Sequence, residues 1–472
     1  MIANANAEEL KRETEEIFRD CGDLNYRTVF SGNKKIYAFN FGNFSGRDYI
    51  SENIIKPLTM YDGKLEKDED FLRCVSASEA KEASGVSDIK KYLLSGFCVI
   101  FAQSGKDVIS LAFSARNEAT RAPEEPDNEI VVRGPREGFS EKAEDNAALI
   151  RKRIKSEKLK VLTVNAGKYT DTGIKILYLK GVADEKLVND IKNRIENMNI
   201  PSVMDSGYIE QYLTGGKSKL FTEIGNSEKP DKVAAKITEG RVAVIVDSSP
   251  VVLTVPYLFA ESLQSAEDYL KTPYYATFIR IIRFVSLLIA LYLPAFYVAV
   301  MEHHKNAVPA KLYMKMTESR ADVPFGIFGE MVVILLIFEL IREVGIRMPG
   351  AVGSAVSIVG GLILGDAAIS AGISSPPIIM VASLTAICTF ILPTYMNSTL
   401  LVRLVNLAAA MAFGMLGIAA SLAITLAVLS CKTSFGVPYM LPFAPFDKEG
   451  MNDFLFVLPK KAIKHSEREL KY

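Results

Sequence analysis

Five apolar runs, at residues 284–300, 325–338, 351–373, 377–396 and 404–429, crowd into the C-terminal part of this chain. A helix needs about 20 mostly apolar residues to cross the hydrocarbon core of a bilayer, so the first, third, fourth and fifth runs qualify as spans. The second is short and interrupted by Glu330, and it ends in Glu339-Leu340-Ile341-Arg342-Glu343, which reads as a re-entrant or interfacial segment. Most Lys and Glu lie before residue 275 or after 445. The chain therefore divides into a water-soluble half and an oily one. A formal net charge of zero, from 55 basic and 55 acidic residues, hides that division and offers no global field for nucleic acid.

The soluble half reads as an α/β module in two subdomains, 1–125 and 126–272, followed by an α-helical polytopic membrane domain over 273–445 and a basic tail over 446–472. An exposed helix is expected near residues 7–20. Two β-rich runs around Gln103-Ser104-Gly105-Lys106 predict a hairpin, and the Pro- and charge-rich stretch 118–128 predicts a hinge. Beyond it, helices are expected at 139–155, with Ser140 as N-cap, at 184–197, opened by Asp184, and at 232–239. Strands are expected at 160–165, 174–179, 242–246 and 251–255. The run Val242-Ala243-Val244-Ile245-Val246 has no polar position, so it should be buried on both faces. Gly215-Gly216-Lys217-Ser218 follows a helix and lacks the leading glycine of a phosphate-binding loop, so it reads as a plain loop.

Orientation follows from charge. The N-terminus lacks the apolar core of a signal peptide, which places the first half in the cytoplasm. Arg280 and Arg283 precede the first span beside Tyr269, Tyr274, Tyr275 and Phe278, as expected of a cytoplasmic headgroup flank. The tail carries Lys460, Lys461, Lys464, Arg468 and Lys471, so both ends lie inside and the number of crossings is even, which four spans satisfy. Lys305, Lys311, Lys315 and Arg320 would then lie outside. Five scattered cysteines and three histidines form no ligand set, and no nucleophile–base constellation is present. An enzyme, a disulfide scaffold and a cofactor are accordingly not expected.

Several motifs coincide with one family. They are Val131-Val132-Arg133-Gly134-Pro135-Arg136-Glu137-Gly138-Phe139, then Glu239-Gly240-Arg241 leading into Val246-Asp247-Ser248-Ser249-Pro250, and Glu267-Asp268-Tyr269 before the membrane. Within the oily half follow Glu339-Leu340-Ile341-Arg342-Glu343, Arg347-Met348-Pro349-Gly350, Gly360-Gly361-Leu362-Ile363-Leu364-Gly365, Ser375-Pro376 and Ser434-Phe435-Gly436-Val437-Pro438-Tyr439. In this order and spacing they resemble the A subunit of GerA-type spore germinant receptors, over residues 90–447. Residues 21–60 depart from the family's usual opening, and Tyr269-Leu270 stands where a double tyrosine is usual. The resemblance implies a subunit of a nutrient-sensing complex in the spore inner membrane, assembled with a transporter-like B subunit and a lipoprotein C subunit. It also implies a homo-oligomer forming a channel for monovalent cations.

Two residue sets are candidates for that function. Arg133, Arg136 and Glu137 cluster around a Gly-Pro turn and could pair with carboxylates of the other subdomain or of a neighbouring subunit, because a guanidinium fits a carboxylate bidentately. Glu339, Arg342 and Glu343 are the matching charged set in the oily half. For the pore, Gly353, Ser357, Gly361 and Gly365 recur every four residues and give the third run a face almost free of bulk, suited to close packing against neighbouring helices. Asp366 projects from the bulkier side, where an intramembrane carboxylate should face a cavity, and Ile363, one turn away, would form a constriction. The competing readings are a transporter and a signalling scaffold without its own pore.

Overall fold

The computed structural model describes residues 6–457, apart from 33, 43, 62, 116–125, 127–128, 130–132, 216–219, 348–364 and 452. The expected hinge therefore falls almost wholly outside the described residues, as do most of the third apolar run and the basic tail.

Two five-stranded antiparallel sheets make up the N-terminal half. The first is formed by β1 (Leu24–Ser31), β2 (Lys34–Phe41), β3 (Ala80–Glu82), β4 (Phe97–Ser104) and β5 (Asp107–Ser114), in the spatial order β1-β2-β4-β5-β3. The second is formed by β6 (Leu159–Ala166), β7 (Thr172–Leu179), β8 (Gly225–Ser227), β9 (Val242–Val246) and β10 (Val252–Val255), in the order β6-β7-β9-β10-β8. Shifted by five strands, the two orders are identical. The helices repeat as well. The first half runs α1 (Ala7–Ile17), β1, β2, helical turns within 47–74, β3, α2 (Val86–Leu93), β4, β5. The second runs α3 (Ala143–Arg153), β6, β7, α4 (Glu185–Glu196), α5 (Ser206–Leu213), β8, α6 (Pro230–Thr238), β9, β10.

Helices cover both faces of each sheet, which is why the central strands carry apolar residues on both sides. All five positions of β9 are buried, as its composition requires, and so are the first six of β4. The β4–β5 hairpin turns at Gly105, whose φ of +62° suits a residue without Cβ. Asp184 caps α4 through the Lys186 amide at 2.8 Å. Ser140 does not cap α3. That role falls to Asp247, whose carboxylate accepts from the Ala143 amide at 3.0 Å across the sheet end. The two halves meet where the Gly22 amide donates to the Val161 carbonyl at 2.7 Å. Beside it, Arg151 of α3, fully buried, reaches Asp23 at 2.5 and 2.9 Å and stacks over Phe41.

Helices fill the C-terminal half: α7 (Pro273–His303), α8 (Ala310–Glu318), α9 (Ile327–Arg347), α10 (Pro376–Phe390) and α11 (Met396–Cys431). Among the described residues, two helices are long and apolar enough to cross a membrane, Pro273–His303 and Ser398–Cys431. The second run forms 21-residue α9, longer than its apolar core suggested, because the charged stretch at its end continues the helix. The fifth run is not one straight span. At Gly414 the backbone takes φ 59° and ψ −136°, and α11 splits there into two arms. A Cβ on Gly417 would lie 2.0 Å from the Ala409 carbonyl, so the arms touch immediately after the break. Their outer ends also meet. Tyr395 and Tyr439 share a hydroxyl contact of 3.0 Å, and the Tyr439 amide donates to the Lys432 carbonyl at 2.9 Å. The second arm therefore returns alongside the first.

This defines two ends of the bundle. The near end, beside the second sheet, holds the start of α7, the end of α10 and both outer ends of α11. At the far end, His303 lies 2.7 Å from the Met411 carbonyl, next to the α11 turn. Glu330, buried, binds Arg320 there at 3.0 Å and accepts from Ser374, from the Ser375 hydroxyl and from the Ser375 amide that opens α10.

Candidate functional site

Strand β10 leads into the helical bundle through two short helical turns, Phe259–Leu263 and Ala266–Leu270. Around this strap, residues from four parts of the chain interlock in three layers.

The layer against the sheet is an ion-pair cluster. Glu261 accepts from Arg241 at 3.0 and 3.1 Å and lies 2.7 Å from the ammonium of Lys236, while its carboxylate also caps the first turn through the Leu258 amide. Lys236 lies in the last turn of α6 and Arg241 immediately precedes β9, so the second sheet grips the strap directly. Burial pushes the Glu261 carboxyl up, but Arg241 and Lys236 more than offset it and hold the group below its ordinary value. Lys236 moves down from the usual lysine range, because burial outweighs the attraction of Glu261.

The second layer sits at the base of α7. Arg280 is fully buried, an unusual place for a guanidinium unless it is paired. It binds Asp268 at 3.1 Å, the Asp453 carboxylate at 3.0 Å, and the carbonyls of Asp453 and Phe454 at 2.7 and 3.2 Å. Arg283 adds a second bond to Asp268 at 2.6 Å, and the Tyr269 hydroxyl donates to Asp453 at 2.7 Å. Burial first, then the Asp453 charge, pushes the Tyr269 phenol up, so it stays a donor. The strap, the first turns of α7 and the C-terminal segment are thereby tied at one point.

The third layer is aromatic. The Tyr395–Tyr439 pair packs with Phe259, stacked on Tyr395 at 6.0 Å, and with Phe221 and Phe454. Lys432, the first residue after α11, donates to the Phe221 carbonyl at 2.5 Å and pairs with Glu223 at 3.3 Å. The hairpin β11 (Thr433–Ser434) and β12 (Val437–Pro438) carries Phe435 at its tip, which packs against the core of the second sheet under the guanidinium of Arg194. The positive φ of Phe435 and Gly436, 49° and 86°, makes that turn. Both outer ends of α11 are thus fastened to the N-terminal half. This arrangement suits mechanical transmission between sheet and helices. Among the described residues, no group of three or more His, Cys, Asp or Glu could hold a metal ion.

The residues singled out from sequence lie elsewhere. Arg133 and Arg136 are exposed. Glu137 binds Lys152 at 3.1 Å and Arg153 at 2.5 Å, both on α3 of its own subdomain. The neighbouring strand of chain is pinned to α6, where the Pro135 carbonyl accepts from Lys229 at 3.1 Å and Glu129 pairs with Lys232 at 2.5 Å. Glu339 pairs with Arg342, one turn along α9, and Glu343 is exposed. Gly353, Ser357, Gly361 and Ile363 lie outside the described residues. Gly365 begins the described helical residues 365–370 and faces Ile379 of α10, while Asp366 is exposed. The interlocked charges were missed, although Glu239-Gly240-Arg241, Glu267-Asp268-Tyr269 and Arg280 had each been noticed separately.

Comparison with known proteins adds the following. A family model described as Bacillus/Clostridium GerA spore germination protein matches residues 12–469. The chain is similar to spore germination protein KA of Bacillus subtilis (strain 168), 39% identical over 369 residues, with 78% of this chain and 68% of that protein covered. It is 31% identical over 436 residues to spore germination protein A1 of the same organism, covering 92% and 89% of the two chains. Similarity to the uncharacterized membrane protein YfkQ, also of Bacillus subtilis, is 33% over 445 residues, covering 93% and 86%. Among solved structures, the N-terminal domain of the A subunit of the Bacillus megaterium spore germinant receptor GerK3 matches with 24% identity and a TM-score of 0.42. That match covers 55% of this chain and 97% of that one.

Proposed function

Because the chain belongs to the Bacillus/Clostridium GerA spore germination protein family, we propose that it acts as the pore-forming A subunit of a germinant receptor in the spore inner membrane. In this reading it assembles with further copies of itself, a transporter-like B subunit and a lipoprotein C subunit, and passes monovalent cations when a nutrient is sensed.

The observation that carries the reading is the three-layered junction. A module fastened by buried ion pairs to the first helix, and by aromatic packing and the Lys432–Glu223 pair to the two ends of the last, is built to move helices. Membrane insertion is supported by the side chains left outside the bundle. Tyr274, Phe278, Ile281, Val285 and Leu288 form an exposed apolar row on α7, and Met380, Leu384 and Ile387 form another on α10. Among the described residues, α7 runs to the far end, α9 and α10 each run back from it, and the arms of α11 go and come back. This direction supports a topology in which the module and the C-terminal segment, tied together by Arg280, lie on one side of the bilayer. The pore itself is supported by Asp366, a carboxylate exposed on the outside of the protomer, where lipid would be costly and a cavity shared between copies would not.

Purified protein in potassium-loaded liposomes tests the reading, with flux expected for the wild type and altered selectivity for Asp366→Asn. Absence of flux in the presence of the partner subunits would sink it. A cysteine placed at exposed Lys168 should react with an impermeant reagent only after the cells are opened. Labelling of intact cells would reverse the topology.

A further inference from the structure

Past the β11–β12 hairpin the chain runs along the near end of the bundle, from α11 to α7. The Tyr439 amide is bonded to the Lys432 carbonyl, just beyond the second arm of α11, and the Val457 amide donates to the Thr277 hydroxyl in the first turns of α7 at 3.0 Å. Between these fixed points the side chains fall into two sets. Met440, Leu441 and Phe454 are buried, and Met451 and Leu455 pack against the aromatic core that holds Tyr395 and Tyr439. Phe443, Phe446 and Phe456 lie outside that core, 53%, 72% and 56% exposed. The frame that carries them is closed. The Phe443 amide donates to the Met440 carbonyl at 2.8 Å, the Asp447 amide to the Pro442 carbonyl at 3.0 Å, and the Met451 amide to the Asp447 carbonyl at 3.0 Å. A Cβ on Gly450 would lie 2.5 Å from Pro442, so the turn folds tightly onto itself. Large apolar side chains held outward in this way mark an interaction surface.

Their neighbours say what covers them. The exposed row of α7 starts at Tyr274 and Phe278, on either side of Thr277, and Phe456 is one residue from the Thr277 contact. On the other flank, exposed Leu426 and Val428 lead along the second arm of α11 to Lys432, where Tyr439 brings the segment back. The three phenylalanines therefore continue two apolar surfaces of the bundle. They do so at the level of Tyr274 and Tyr275, aromatic residues of the kind that settles in a headgroup layer.

We propose that residues 440–451 and 453–457 form an interfacial collar, with Phe443, Phe446 and Phe456 set into the boundary between headgroups and acyl chains of the near leaflet. Apolar faces that lie in a membrane surface reach about 5–10 Å into that boundary. The collar gives the junction a foothold outside the protein. Asp453 and Phe454 hold Arg280 on the inner side, while the rings hold lipid on the outer side. The base of α7 and the end of α11 then keep one depth in the bilayer while the N-terminal module pulls on them. The collar rests on the membrane insertion argued above and is independent of conduction.

The chain contains no tryptophan, so Phe443→Trp, Phe446→Trp and Phe456→Trp each give full-length protein one fluorescent reporter. In liposomes of phosphatidylcholine brominated near the top of its acyl chains, all three should lose emission relative to unbrominated lipid. Aqueous iodide should leave them unquenched. Quenching by iodide alone would put the rings in water and overturn the collar. Quenching by neither would mean that a second copy or a partner protein covers them, which overturns it as well. Leu288→Trp and Leu384→Trp, on the exposed rows of α7 and α10, separate this proposal from the reading beneath it. Bromine quenching of these two but not of the collar positions would keep the bundle in the membrane and sink the collar. Quenching of the collar positions alone would leave the collar on the bilayer surface and sink the spanning bundle.

Discussion

Replacing Arg280 with methionine, which keeps the length and removes the guanidinium, should free the C-terminal segment from the strap. The substitution deletes four hydrogen bonds, three of them to Asp453 and Phe454. Hydrogen bonds from a charged donor contribute about 1.5–3 kcal/mol each, yet the whole does not add up in full. Asp268 keeps Arg283 at 2.6 Å, so no buried carboxylate is abandoned. The Asp453 side chain is 40% exposed and regains water when released. The cost therefore falls near the lower end of the range for breaking a buried pair, about 3 kcal/mol, or roughly a hundredfold or more in the open population. Hydrogen exchange of the full chain in nanodiscs reads this directly. Amides of Met451 and Phe454, which donate to Asp447 and Met451, should lose about a hundredfold in protection. Those of β9 should stay unchanged. Arg283→Met, which leaves the bonds to Asp453 intact, should have a much smaller effect on the segment. Unchanged protection over 447–457, or an equal loss across the sheet, would refute the reasoning.

Three further outcomes follow from the same geometry. Glu261 is held below its ordinary value near 4.5, so its pairing contributes stability above that pH and loses it as pH falls through the lower folded value. Thermal melts should accordingly be flat from about pH 8 to 5 and drop at more acid pH, and Glu261→Gln should reduce the drop; an identical drop in the variant would exclude Glu261 as its source. Glu330→Gln leaves Arg320 without its carboxylate and should destabilise the far end by about 3 kcal/mol, read as a lower melting temperature in detergent; an unchanged melt would show the pairing is immaterial. Gly414→Ala places a side chain at φ 59° and ψ −136°, 3.0 Å from His303, and should cost about 1–3 kcal/mol by the same measurement. If alanine is tolerated there, the turn does not need glycine.

What could be read from the sequence was whatever a local constraint imposes. A bilayer demands length and apolarity, so most of the oily helices announced themselves. A strand covered on both faces demands continuous Val and Ile, so β9 did too. Asp184 was legible because a cap acts two residues away. The β1–β2 hairpin was legible in principle, since Gly32 sits at the turn between two alternating runs. The repeat of the two sheets was invisible, because strand order is kept while the residues are not. Glu330 was noticed only as an interruption of an apolar run, and its role depends on Arg320, Ser374 and Ser375, which the chain brings back from elsewhere.

The junction was illegible for a single reason, and it lies in α11. Read as one straight helix of 36 residues, it would carry Lys432 about 54 Å from Tyr395, to the opposite end of the bundle. Arg280, Asp268 and Tyr269 would then be ordinary charges and aromatics at a membrane edge, and Asp453 would have nothing to bind. Gly414 lies between Phe413 and Met415 with no polar turn residue near it, so composition passes smoothly over the one position that reverses the chain. Once it reverses there, Lys432, Tyr439 and Asp453 arrive beside Phe221, Tyr257 and Arg280, residues from 173 to 211 positions away. Every contact that fastens the end of the last helix, and the segment after it, to the sheets depends on that turn, so transmission through the junction and the fold of α11 stand or fall together.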